Sequence, residues 1–114
     1  EQITSDTVAH IETYIKNYIN DDFWTCHDVL KIYYIRNKVY ELPSYIMVIT
    51  EDSYAAYGDK RNYRAWILED VIIRPNEISV GDIKENCRDS LLENVKAIVE
   101  QRSNNEELEF VIIK

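Results

Sequence analysis

A chain of 114 residues with 46% hydrophobic and 30% charged side chains, two Gly and two Pro is sized for one buried core and excludes a disordered or fibrous class. Its net charge of −8 disfavours general binding to a nucleic-acid backbone, where affinity comes from Lys and Arg neutralising phosphates. Two well-separated cysteines, Cys26 and Cys87, match neither a disulfide framework nor a metal-ligand spacing, and no apolar run is long enough to span a bilayer.

Taken in chain order, the first element is a helix. Val8, Ile11, Ile15, Tyr18 and Ile19 form one stripe at 3.6 residues per turn, Ser5 or Asp6 can cap it, and Asn20-Asp21-Asp22 ends it. Residues 23–30 read either as a short helix capped by Asp22 or as an irregular lead into a sheet. Val29 to Ile35 is a strand of β-branched and aromatic residues. Arg36-Asn37-Lys38 is a tight turn, and Val39 to Leu42 resumes as strand until Pro43, which marks a bulge or an edge. Tyr45 to Thr50 is apolar enough to be buried on both faces. Glu51 to Asn62 reads as a long polar loop around Gly58-Asp59. Tyr63 to Glu69 alternates, and Val71-Ile72-Ile73 extends that strand to Pro75.

A second long helix is expected from about Asp82 to Gln101. Asp82 and Glu85 have the spacing of a capping box, and Ile83, Cys87, Leu91, Val95, Ile98 and Val99 form the stripe. Leu108, Phe110 and Ile112 alternate on a last strand, expected to run parallel to a central one because a helix separates it from the strand before. The fold class is therefore α+β, a single domain over 1–114 in the order α-β-β-β-(β)-α-β. A mostly antiparallel sheet is expected to have both helices packed on one face, the other being bare.

That order resembles, in topology, the core of PD-(D/E)xK nucleases, in which an Asp at one strand end and a D/E-x-K on the next hold Mg²⁺ and polarise water or phosphate. Here Glu69-Asp70-Val71 has Val in place of Lys, Asp59-Lys60 lacks the spacing, and Glu51-Asp52-Ser53 lacks the base. Cys26 and His27 are adjacent, so on a strand they diverge to opposite faces and cannot pair for nucleophilic catalysis. Cys87 reads as a core residue, and with two glycines there is no phosphate-cradling loop. The expectation is a non-enzyme with no cofactor and no metal.

The nine tyrosines are the most unusual feature of the composition. Most strand aromatics fill cores, but a bare sheet face would leave some exposed, where Tyr is a low-entropy anchor for a partner. The segment from Tyr54 to Arg64 interleaves aromatics with Lys60, Arg61 and Arg64, a pattern that serves a protein contact, base stacking or a solvated tip. Charge is uneven: residues 1–30 carry six acids and one base, whereas residues 31–74 carry six acids and seven bases. The expected partner-binding set is Tyr33, Tyr40, Tyr54, Tyr57, Tyr63 and Trp66 with Asp21, Asp22, Glu51 and Asp52.

The reading that unites these features is a small acidic, cytoplasmic protein-binding domain: a stoichiometric inhibitor such as an immunity protein or antitoxin that covers a basic toxin or nuclease. A secretion chaperone or assembly subunit, with a homodimer formed through the open sheet, is one alternative. A nuclease-like αβββαβ domain with a degenerate site is another. The partner is expected to be protein, not nucleic acid or membrane.

Overall fold

The computed structural model describes residues 4–19, 25–39, 42–54 and 60–114. Its elements are helix α1 (Ser5–Tyr18), strands β1 (Thr25–Asn37), β2 (Leu42–Tyr54), β3 (Lys60–Arg74) and β4 (Glu77–Asp89), helix α2 (Leu92–Glu100), a 3-10 turn (Gln101–Asn104) and strand β5 (Leu108–Ile112). The described strands form one antiparallel sheet in the order β4-β3-β2-β1-β5. The class is α+β, as the sequence indicates.

α1 begins one residue before the expected caps. Thr4 accepts from the Thr7 N–H at 3.3 Å, and the Thr7 hydroxyl reaches back to the Thr4 N–H at 3.4 Å, a reciprocal capping box built from two threonines. Ile11, Ile15 and Ile19 then bury against Val29, Ile32, Ile46, Val48, Trp66 and Leu68. Tyr18 belongs to the expected stripe but is 52% exposed, its ring leaning edge-on against Trp66 at 5.8 Å.

Residues 25–30 are strand, continuous with β1. Pro43 sits opposite Arg36 beside a break in register, so it marks a bulge. The expected loop from Glu51 to Asn62 is shorter than its polarity suggests: β2 continues to Tyr54 and β3 starts at Lys60.

The largest correction concerns residues 77–89: the stretch from Asp82 onward reads as helix, and the whole segment is strand β4. Pro75-Asn76 turn the chain into a hairpin in which Val80 pairs with Val71, Ile83 with Leu68 and Cys87 with Ala65. The helix starts only after Asp89, whose carboxylate accepts from the Leu91 N–H at 2.8 Å. The extra strand also reverses the end of the chain. α2 carries it back across the sheet, and β5 lies at the opposite edge, antiparallel to β1 rather than parallel to a central strand.

The expectation of both helices on one face fails for a reason visible in the strands. Side chains of both parities in β1–β3 are apolar: Tyr33, Ile35, Met47, Ile49 and Ala65 point away from α1. Leaving a Val-to-Phe-sized group in water forgoes about 1.5–3 kcal/mol, so this second face needs its own cover. α2 supplies it with Val95 and Val99, both fully buried. The result is three layers, with the centre of the sheet covered on both sides.

Near its turn, the β3–β4 hairpin curls back towards α1. Asp70 has φ 53°, in the left-handed region, and Gly81 lies across from it in the register. A Cβ on Gly81 would stand 2.6 Å from the Asp70 Cβ, so the close approach requires glycine there. Beyond this kink Val71, Ile78 and Val80 join the α1 side of the core.

Candidate functional site

The expected contact residues separate into three groups. Tyr33 and Trp66 are 2% and 5% exposed, so neither ring is available to a partner. This corrects the expectation of a bare face: the second helix covers one side and α1 the other. Tyr33 packs edge-on against Phe110 and donates to Glu100 Oε1 at 3.5 Å. Burial pushes its phenol above the ordinary value of 10.0, and the Glu100 carboxylate pushes it further. Trp66 donates from Nε1 to Thr50 Oγ1 at 3.0 Å, under the Arg64 guanidinium 4.7 Å from its ring centre. Asp21, Asp22, Tyr40 and Tyr57 lie outside the described residues, and Tyr54 is described only as the last backbone position of β2.

Asp52 is the second group. It is buried and stands opposite His27 in the β1–β2 register. His27 Nδ1 donates to one carboxylate oxygen at 2.8 Å, and Arg64 Nε lies 2.6 Å from the other. The Arg64 N–H is turned off that line, so the second contact is an ion pair rather than a hydrogen bond. Glu85 on β4 adds a looser contact to Arg64 at 3.8 Å. Four strands are thereby tied together by charge on the α1 face. A His–carboxylate pair is also two thirds of a nucleophilic triad. The thiol and hydroxyl nearest in sequence, Cys26 and Ser53, belong to the opposite face by strand alternation, and the Thr50 hydroxyl is already used by Trp66. Both oxygens of Asp52 are occupied, so the arrangement ties strands and presents nothing outward.

Glu51 and Tyr63 form the third group, and the register gives them company. Asp28 pairs with Glu51, Glu51 with Tyr63, and Tyr63 with Asp89. Cross-strand partners share a face, and Tyr63 packs on the core under α2, so all four lie on the α2 side. At roughly 4.8 Å between strands, the row crosses β1 to β4 over about 14 Å, beside the N-terminal end of α2. Asp28 is exposed, while Glu51, Tyr63 and Asp89 are half-buried. Arg61, one step along β3, approaches Glu51 at 3.8 Å.

No known protein family, curated protein or solved structure matches this chain. Its function therefore rests on the site itself. Within the row, Asp28 and Glu51 are two carboxylates directly opposite each other, and like charges so placed destabilise a sheet. Departures from local consistency of this kind concentrate where a protein meets something else.

Asp28 and Asp89 were not in the expected set. Asp28 falls in the segment 23–30, which reads equally as helix or irregular chain, and Asp89 in a segment whose periodicity fits a helix but which is strand β4. Extending the alternation of β1 back from Val29 would have put Asp28 on the face opposite His27. Nothing in the sequence gives the register that brings Asp89 beside Tyr63. Among the described residues, no three His, Cys, Asp or Glu side chains converge to hold a metal ion, and no helix is long and apolar enough to cross a membrane.

Proposed function

We infer that this chain is a protein-binding domain that covers a basic partner in one-to-one fashion, in the manner of an immunity protein or antitoxin opposing a toxin or nuclease. The observation that carries the reading is the carboxylate pair Asp28/Glu51, set in an acidic row around half-buried Tyr63 on the α2 side of the sheet. A Lys or Arg from a partner placed between the two carboxylates removes their repulsion, so the cost in the free chain becomes a gain in the complex. The net charge of −8 adds long-range attraction to a cationic surface. Tyr63 supplies an aromatic anchor whose rotamer entropy is already spent in packing. Two free thiols agree with a reducing compartment, and we place the protein in the cytoplasm with its partner.

The test is affinity capture from the native host with the wild-type chain and with the double variant Asp28→Lys/Glu51→Lys. The expected result is one basic protein retained at low salt, released as salt rises, and absent with the variant. The recovered protein's own activity should be lost on adding one equivalent of this chain. Recovery of nucleic acid alone, or equal capture by wild type and variant, would remove the reading.

A further inference from the structure

Asn86 is the extra residue of a bulge in β4. Glu85 pairs with Trp66 and Cys87 with Ala65, which leaves one residue of β4 over between them. Regular alternation would turn Asn86 and Cys87 to opposite faces, but a bulge re-aims a side chain. Both line one cleft, together with Ile98, Gln101 and Arg102 from the end of α2 and the turn after it. The cleft has a volume of about 470 Å³, within the range of small-molecule sites. Its charged member is Arg102, half-buried, which donates from Nη2 to Asn86 Oδ1 at 3.0 Å and lies 5.9 Å from the ring centre of Tyr45. The other arginines all pair with carboxylates: Arg36 with Glu109, Arg61 with Glu51, Arg64 with Asp52, Arg74 with Glu77 and Arg88 with Glu85. Among the described residues, Arg102 meets an amide and a ring instead, and its charge is not neutralised by a carboxylate.

We propose that this cleft binds a small organic monocarboxylate with an apolar tail. A guanidinium offers several N–H donors in a planar fork matched to a carboxylate, and Asn86 occupies only part of it. The Asn86 oxygen accepts from Arg102, so its NH₂ group and that of Gln101 are further donors on the same cleft. Ile98, which is 40% exposed, and Cys87 are the apolar wall for the tail. Charge selects the class. A single guanidinium neutralises a single negative charge, whereas a dianion would add an unbalanced one to a chain already at −8. Asn86 and Tyr45 hold the guanidinium before a ligand arrives, which lowers the ordering cost of binding. The cleft lies at the C-terminal end of α2 and the acidic row beside its N-terminal end, so the inference goes beyond the basic-partner reading and does not rest on it.

The probe is phenylacetate, added to the whole chain carrying Cys26→Ser so that Cys87 is its sole thiol. Two controls accompany it: phenylacetamide, its neutral isostere, and phenyl phosphate, a dianion. The readouts are the rate of Cys87 alkylation by iodoacetamide and the backbone amide NMR signals. Phenylacetate should slow alkylation saturably and move the signals of residues 86–87 and 98–102. Phenylacetamide should bind at least about tenfold more weakly, the worth of one charge-assisted hydrogen bond, and phenyl phosphate should also bind more weakly than phenylacetate. Arg102→Gln should weaken phenylacetate by about tenfold, and Arg102→Lys, which keeps the charge but loses the fork, by a smaller factor. Absence of saturable protection, equal binding of phenylacetamide, tighter binding of phenyl phosphate or signal changes centred elsewhere overturns the proposal. Unchanged affinity in a folded Arg102→Gln does the same, and Arg102 is then only a clamp between β4 and the end of α2. The comparison of phenylacetate with its amide uses an intact cleft, so it decides the matter even where an Arg102 variant fails to fold.

Discussion

Asp28 and Asp52 are the same side chain on neighbouring strands of one sheet, and their surroundings give them opposite energetics. Asp28 is exposed and faces Glu51, so replacing it with Asn removes a repulsion and deletes no contact. The isolated protein should gain about 0.5 kcal/mol, seen as a higher urea midpoint at unchanged slope. A loss of stability in that variant would mean the pair is held by something other than repulsion, and would undo its reading as a contact site. Asp52 is buried between His27 and Arg64, so Asp52→Ala strands a guanidinium in the interior and should cost about 3–5 kcal/mol. Tyr33 adds an alkaline limit. Its phenol is raised above 10.0 by burial and by Glu100, so the neutral form is favoured in the folded chain. A raised folded value gives stability that is complete below pH 10 and lost as pH climbs through the folded value. Tyr33→Phe should remove a late-titrating phenol from the absorbance at the phenolate band and flatten the decline in stability on the alkaline side. Were the late phenol still present in Tyr33→Phe, the assignment would be wrong.

At the scale of elements, the kink in the β3–β4 hairpin is the clearest case of two residues determining a shape. Asp70 holds a left-handed backbone that costs an L-residue about 1–2 kcal/mol, and Gly81 leaves space for its side chain. Gly81→Ala should therefore destabilise by about 1–3 kcal/mol through overlap. Asp70→Gly should be neutral or stabilising and should rescue Gly81→Ala, because it removes the atom that overlaps. A double-mutant cycle with additive costs would show that the two positions do not meet as described.

The same hairpin shows where the sequence is legible and where it is not. α1 and the centres of β1, β2 and β3 could be read from periodicity, since each buries a stripe or alternates. β4 could not: as an edge strand with one neighbour it is half exposed, and its i, i+4 residues Ile83 and Cys87 satisfy a helical template equally well. Pairing with the long β3 decides the matter. Glu51 and Tyr63 were recognisable as polar and aromatic neighbours of a turn. Their partners Asp28 and Asp89 depend on register, which no local pattern encodes, and the burial of Tyr33 and Trp66 depends on which face each helix covers.

For the whole molecule, salt should act on folding and on binding with opposite signs. A net charge of −8 gives the compact chain a long-range self-repulsion, to which the facing Asp28 and Glu51 carboxylates add. Surface ion pairs such as Arg36–Glu109 at 3.2 Å and Lys84–Glu69 at 2.9 Å contribute little each. Raising ionic strength from about 0.01 M to about 1 M shortens the Debye length from about 30 Å to about 3 Å, which screens the long-range repulsion first. The urea midpoint of the free protein should therefore rise with sodium chloride, and less so in Asp28→Asn, where part of the repulsion is already gone. The buried Asp52 cluster is shielded from solvent and should hold its contribution across the same range. Complex formation should weaken over that range, because the charges that repel within the chain are those that attract the partner. A midpoint that falls with salt would show that the surface pairs outweigh the net repulsion. The acidic row would then be part of the fold's own electrostatics rather than a face kept for a cationic partner.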